Sequence, residues 1–383
     1  MIKGKASYLN RLYSRMSFKT VEYSEKVEGS SPPSVFIGRK GYPNVFIGPL
    51  IPPVHGDTAI LDTPERWANK GAWDIIDFRF QLVRGKQAVN VTDNNRVTEM
   101  VREIALAKNP TDIDAEFSKK ARGSFFDEDV QPFGPSAPIK TMEIGNVNFE
   151  HHLEKAHYDT DLLAREAVLS LYSQGLFVST IQKAFSVGAF GLKENRKFVP
   201  TRWSITAVDS TLSENHLEQI RHYPLIDSYR VYEAENINNK FLILFMPAEW
   251  RYETMEAWFP SVIGDRLEIY GDWEGHYGKK NYAVIGGCYY AARLAVAEQL
   301  MKEKKQATVI IFRESYPGYI PLGVWNVREN VRLAMQHFKE FESLSQGLSY
   351  VSSRLKIPMK RWILQSHLLK ETVTQRRVSD FAN

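Results

Sequence analysis

The runs Lys240-Phe-Leu-Ile-Leu-Phe-Met246 and Ala307-Thr-Val-Ile-Ile-Phe312 decide the class of fold. Both are dense in β-branched and aromatic residues, and both have the length of a strand rather than of a helix. Around the first run, Thr201 to Val208, Asp227 to Glu233 and Arg266 to Tyr270 are further expected strands, with a helix expected at Leu212–Arg221. Around the second, Tyr290 to Lys304 and Val327 to Leu344 are expected helices, one before the strand and one after it. Several strands followed by helix, strand and helix is the order of an α+β chain, a mixed sheet flanked by helices, more than of a regular doubly wound fold.

Towards the N-terminus the chain changes character. Tyr23 to Pro53 is rich in Gly, Pro and Ser, and carries the same Val-Phe-Ile-Gly core twice, in Ser34–Gly38 and Asn44–Gly48. Two β-prone runs around Arg39-Lys40-Gly41-Tyr42-Pro43 read as a hairpin or as two strands feeding a loop. After Asp62-Thr-Pro-Glu-Arg-Trp67 the pattern turns helical, with Asp62 or Thr63 as a cap and Pro64 at the first helical position. Val97, Met100, Val101, Ile104 and Ala105 recur at helical spacing over residues 95–108. A second helix is expected from Thr160 to Gly175, where the glycine is a natural terminator, and residues 127–140, acidic and broken by Pro and Gly, read as a surface connection.

The 383 residues exceed what one hydrophobic core usually supports, so one large mixed domain or two closely packed ones are expected. An apolar share of 43% and a charged share of 25% exclude a disordered or fibrous protein. The longest apolar runs, such as Phe241 to Pro247, fall far short of the ~20 residues of a membrane span. The basic N-terminus has no apolar stretch of secretory type, and the single cysteine, Cys288, allows neither an intrachain disulfide nor a thiolate zinc cluster. These features lead us to expect a soluble, intracellular, cytoplasmic protein.

The net charge of +4 sits at the ends. Residues 339–383 hold eight Lys/Arg against four acids, and residues 1–40 hold eight against Glu22, Glu25 and Glu28. Basic ends on a near-neutral body suit a polyanion such as DNA, and equally serve solubility alone. The last residues, Gln375-Arg-Arg-Val-Ser-Asp-Phe-Ala-Asn383, have the form Q-x-x-h-x-x-F used by peptides that bind the sliding clamp PCNA. Val378 and Phe381 are three residues apart, so one 3₁₀ turn stacks them as a hydrophobic plug, with Gln375 one turn earlier. The alternative is a helix end whose Val378 and Phe381 pack on the body.

The Gly/Pro block is the strongest candidate for a working site. Arg39 and Lys40 lie in its loop, Asp57, Asp62 and Glu65 follow, and Arg79 and Arg84 come soon after; Arg202 and Asp209 could complete the group. Arginines grip phosphate in bidentate fashion, glycines let backbone approach a ligand, and acids transfer protons, so a pocket for a nucleotide or a DNA phosphate is one reading. The other is that the glycines and prolines shape turns while Arg and Asp form structural ion pairs. Exposed aromatics, Trp203 among the candidates, would stack on single-stranded bases where they lie beside basic residues. Glu150-His151-His152 with Glu154 and His157 lacks the H-E-x-x-H order, so a helix-capping segment is expected there and no metal. No Walker loop, G-x-G-x-x-G or G-x-S-x-G pattern occurs, and no cofactor is implied.

Ile37 to Leu50, Gly56-Asp57, Leu61-Asp-Thr-Pro-Glu-Arg-Trp67, Val199 to Asp209, Gly286-Gly-Cys-Tyr-Tyr-Ala-Ala-Arg-Leu-Ala295 and Pro321 to Glu329 together resemble the archaeal Nre family of DNA repair proteins. The resemblance implies a DNA repair factor, and a C-terminal clamp-binding peptide is a feature of that family. It implies no catalytic residue. Many members begin with a cysteine-rich stretch that looks like a zinc site; here Lys3, Lys5, Arg11 and Arg15 stand instead, so no metal role carries over. The expected organisation is a basic segment over 1–34, Nre-like regions over 35–200 and 201–345, and a basic, flexible tail over 346–383 that ends in the clamp peptide.

Overall fold

The computed structural model describes residues 24–68, 70–123, 125–127, 130–262 and 264–374. They divide into two compact units, and the division falls between Leu212 and Ser213; Pro321–Gly323 goes with the first unit. Each unit is built on a six-stranded mixed sheet. Among the described residues no helix is long and apolar enough to cross a membrane.

In the first unit the strands are β1 (Lys26–Ser31), β2 (Val35–Ile37), β3 (Asn44–Ile51), β4 (Val83–Asn90), β5 (Thr111–Phe117) and β8 (Ser136–Ile144), with a separate hairpin of β6 (Phe125–Asp127) and β7 (Val130–Phe133). The sheet order is β1-β5-β8-β4-β3-β2, and only β4 and β8 pair in parallel. The repeated Val-Phe-Ile-Gly cores are β2 and the start of β3, paired antiparallel as the hairpin reading expects. A Cβ on Gly48 would stand 2.1 Å from the Gly85 carbonyl oxygen, so β3 and β4 can approach as they do only because that position is glycine. The helices are α1 (Ala72–Phe80), α2 (Arg96–Leu106), α3 (His151–Tyr158), α4 (Ala164–Ser173), α5 (Val178–Ser186) and the first turns of α6 (Thr201–Ile220). Asn95 caps α2 through its side chain, and the apolar positions that announced this helix, Met100, Val101, Ile104 and Ala105, are its buried face. Glu150 caps α3 by accepting the Leu153 N–H at 2.8 Å, and Gly175, at φ +86°, follows the end of α4.

The second unit has the sheet order β12-β11-β13-β10-β9-β14, again with one parallel pair, β11 with β13. Its strands are β9 (Tyr229–Asn236), β10 (Asn239–Met246), β11 (Arg251–Trp258), β12 (Glu268–Glu274), β13 (Thr308–Ser315) and β14 (Phe338–Phe341). All eight residues of β10 and all eight of β13 are buried. Phe241, Ile243 and Phe245 point into one apolar layer with Leu217 of α6, α7 (Gly287–Glu303) and α8 (Trp325–Ala334). Leu242, Leu244 and Met246 point into the other, against α9 (Leu344–Arg354), α10 (Met359–Gln365) and α11 (His367–Thr374). Helices on both faces explain why, Lys240 and Thr308 apart, the two founding runs are continuously apolar instead of alternating.

Three expectations are corrected. Thr201 to Val208 is not a strand but the start of α6, because burial recurs at Ser204, Val208 and Leu212 and at Asp209 and Ser213, a spacing of four that outweighs the β-propensity of its Thr, Ile and Val. Val327 to Leu344 is not one helix: α8 ends at Ala334, and Phe338–Phe341 pairs as an edge strand on β9. Residues 127–140 are no plain connection, since β7 and β8 pass through them. Of the segment over 346–383, residues up to Thr374 lie in α9 to α11. Gln375, Val378 and Phe381, like Lys3, Lys5, Arg11 and Arg15, lie outside the described residues.

Candidate nucleic-acid interface

The sequence candidates fall into two groups in the first unit, one exposed and one buried. The exposed group starts at the turn between β2 and β3. Gly41 adopts φ +83°, and a Cβ there would meet the Asn44 carbonyl oxygen at 2.7 Å, so the reversal requires glycine. The turn is closed by Tyr42 N–H to Arg39 C=O at 3.3 Å and Asn44 N–H to Gly41 C=O at 2.9 Å. It leaves Arg39 half-buried and Lys40 and Tyr42 exposed. The start of α6 is tied to this hairpin, where the Ile37 N–H donates to Thr201 Oγ1 at 2.9 Å. That bond brings Trp203 to the turn, its ring 5.0 Å from the Tyr42 ring, and Arg202 precedes it in the chain. Tyr42 is 41% exposed, Trp203 46% and Phe46 50%. Large aromatics usually bury, so two rings in mutual contact and open to water, with Arg39, Lys40 and Arg202 around them, form a surface suited to stacking bases and holding phosphates.

The buried group is centred on Asp62. Its carboxylate accepts from the Ser34 hydroxyl and from Arg79, and Lys183 Nζ stands 3.3 Å from Oδ2 while donating to the Asp62 carbonyl at 2.5 Å. Glu65 takes the N–H and the hydroxyl of Ser179 at 2.9 and 2.7 Å. Asp209, on α6, accepts from Gln182 Nε2 at 2.9 Å. Arg84, 9% exposed, is stacked between the rings of Phe36 and Phe133 at 4.4 and 3.9 Å, and its Nε has no hydrogen-bond acceptor. Burial pulls Arg79 down to about 10, and burial together with Arg79 pulls Arg84 down to about 9. Burial also lowers the Lys183 amine to about 7, with Glu65 opposing and Arg79 adding. Arg79 and Lys183 thus share the Asp62 carboxylate in a dry setting, with Glu65 also acting on Lys183, while Arg84 feels Arg79 without a carboxylate of its own among the described residues. Asp57 stands apart from both groups: it is exposed and its Oδ1 caps the Ala59 N–H at 3.1 Å.

Two parts of this arrangement escape a reading of the sequence. Tyr42 and Phe46 sit in a block that reads as strand and turn, with nothing to mark their rings as outward-facing. The α5 residues Ser179, Gln182 and Lys183 join the Leu61–Trp67 block to the Val199–Asp209 block, and their signal is a polar face at i, i+3 and i+4 beside the apolar Val178, Ile181, Ala184 and Phe185. Among the described residues no group of three or more His, Cys, Asp or Glu side chains could hold a metal ion.

The chain matches two family models, "Archaeal Nre, N-terminal" over residues 3–263 and "Archaeal Nre, C-terminal" over residues 274–381. It is 43% identical to the DNA repair protein NreB of Archaeoglobus fulgidus, covering 91% of this chain and 90% of that protein. It is 36% identical to the DNA repair protein NreA of the same organism, over 90% and 88% of the two chains. Identity to the DNA repair protein NreA of Haloferax volcanii is 32%, over 89% and 86%. No solved structure matches it. With two family models spanning nearly its whole length and relatives alike from end to end, the chain belongs to the archaeal Nre family.

Proposed function

We propose that this protein is a DNA repair factor that holds single-stranded DNA on the surface formed by the β2–β3 turn and the start of α6, and reaches the sliding clamp PCNA through its C-terminal peptide. The repair role is supported by relatives named as DNA repair proteins, which align with 89–91% of the chain. The single observation that carries the DNA contact is the exposed Tyr42–Trp203 ring pair set among Arg39, Lys40 and Arg202. Stacking accepts any base and phosphate contacts accept any sequence, so such a surface fits a factor that meets damage in many contexts. The protein works on this reading inside the cell, at the nucleoid. The clamp contact rests on Gln375, Val378 and Phe381, which fall within the stretch matched by the C-terminal family model.

The test is the salt dependence of binding to a single-stranded oligonucleotide. Arg39→Ala and Arg202→Ala are each expected to reduce the slope of log affinity against log salt by roughly 0.7. Unchanged slopes in both variants would remove the phosphate contacts from this surface.

A second reading makes the protein an enzyme acting on DNA or a nucleotide in a pocket around Arg79, Arg84, Asp62 and Glu65, which Arg39 and the exposed Asp57 do not join. The observation in its favour is Arg84, a buried guanidinium with no carboxylate at bonding distance among the described residues, in the electrostatic reach of Arg79, which also acts on a Lys183 amine lowered to about 7. A phosphate group would supply the missing negative charge. Thermal unfolding with and without pyrophosphate or nucleotides separates the readings: an enzyme pocket predicts stabilisation that Arg84→Met abolishes, and a surface factor predicts none.

A further inference from the structure

The second unit carries an aromatic and basic surface of its own, in the loop Gly275-His-Tyr-Gly-Lys-Lys-Asn-Tyr-Ala-Val-Ile-Gly286 between β12 and α7. Tyr277 is 93% exposed, Tyr282 62% and Val284 79%. A loop that shows this much apolar surface to water loses the burial that such side chains normally gain. Flexibility does not explain it, because the loop is tied down along its length. Gly278 N–H closes a turn on the Gly275 carbonyl at 3.0 Å, and Arg221 Nε holds the His276 carbonyl at 2.6 Å. The buried carboxylate of Asp272 takes Lys279 Nζ and the Val284 N–H, both at 2.7 Å. The Ala283 N–H donates to Tyr290 Oη at 3.1 Å, and Ala283 itself is buried as a plug beneath the loop. Tyr282 leans on Tyr290 with ring centroids 5.5 Å apart, which fixes its plane. The result is two tyrosines, held by a braced backbone, whose faces open to solvent.

Charge selects the partner. The loop holds Lys279, Lys280 and His276 and no acid. Lys279 is spent on Asp272, and Lys280 is exposed with no ion pair among the described residues. A protein partner that used these rings would cover them with apolar side chains; a row of unpaired bases meets both the π-faces and the ammonium. A duplex offers no free base faces.

We infer that the 275–286 loop is a second contact for single-stranded nucleic acid, in which Tyr277 and Tyr282 stack on unpaired bases and Lys280 holds the phosphate between them. The inference rests on the reading of the protein as a DNA-binding factor, and adds a site in the other unit. Because the backbone is fixed in advance, the loop itself has little ordering cost to meet when a strand binds.

The experiment is fluorescence anisotropy of a labelled oligothymidylate titrated with the full chain, with the same oligonucleotide annealed to its complement as the control. Tyr277→Ala and Tyr282→Ala are each expected to weaken single-strand binding about fivefold or more, and to leave duplex binding and the melting temperature unchanged. Lys280→Ala is expected to lower the salt slope and little else. Trp203→Ala in the first unit, measured in parallel, distinguishes the two claims. If wild type binds and Trp203→Ala weakens it while both tyrosine variants bind as wild type, the loop contact is wrong and the hairpin surface stands. If wild type binds neither oligonucleotide, both fall together. Loss of PCNA binding in the tyrosine variants with DNA affinity intact would make the loop a protein contact and overturn the inference.

Discussion

Asp62 and Arg84 lie in one buried cluster and should respond to mutation with opposite signs. Asp62 is the carboxylate that Arg79 and Lys183 both approach, so Asp62→Ala takes the shared counter-charge from two buried basic groups. A loss of about 3–5 kcal/mol is expected, measured by urea denaturation. Arg84 has no carboxylate to abandon among the described residues, and its head is already packed between two phenyl rings. Arg84→Met keeps the packing and removes a desolvated charge, so stability should hold or rise. A loss of several kcal/mol in Arg84→Met would show that the guanidinium is paired in solution. The contrast matters for function too, since a repair defect in Asp62→Ala follows from unfolding and says nothing about chemistry.

Among the elements, β9 gives the clearest dependence on pH. Glu233 accepts Arg354 Nε at 2.9 and 3.0 Å and a further N–H at 2.6 Å, Tyr350 Oη at 3.0 Å, and has Lys240 at 3.2 Å. Desolvation pushes its carboxyl up, but these bonds prevail and hold it down at about 2. The folded value lies below the unfolded one of 4.5, so the stabilisation is complete above about pH 4.5 and is lost as pH falls towards 2. Glu233→Gln should therefore cost stability at pH 7 and far less at pH 3, read from denaturation midpoints at the two pH values. An equal cost at both would mean that the carboxylate charge is not what joins α9 to the sheet.

The same elements explain what the sequence could and could not reveal. Lys240–Met246 and Thr308–Phe312 are legible as strands because burial on both faces makes them apolar throughout. β11 is hidden because its inward positions include Glu253 and Glu256, polar letters made tolerable by the Ser366 hydroxyl with the His367 and Leu368 N–H groups, and by Arg313. α6 is misread because Thr, Ile and Val suggest a strand when its burial period of four goes unnoticed. In the candidate site the residue types were visible in Arg39, Lys40 and Arg202. Their meeting at Tyr42 and Trp203 was not, since it depends on one long-range bond from Ile37 to Thr201.

At the scale of the whole molecule the proposal separates DNA contact from clamp contact. A chain ending at Thr374 keeps every described element, including Leu368 and Leu369 of α11, which are fully buried. It is expected to melt and bind DNA as the full chain does and to lose PCNA binding by calorimetry. Retained clamp binding would place that contact elsewhere on the body.

The most direct test of the central claim is the affinity of a labelled single-stranded oligonucleotide for wild type and for the Tyr42→Ala/Trp203→Ala double variant, compared at one salt concentration. Removing two stacking rings is expected to weaken binding by roughly tenfold or more while leaving the melting temperature within a degree or so. Equal affinity in the two proteins would contradict the assignment of the DNA contact to the β2–β3 turn and the start of α6.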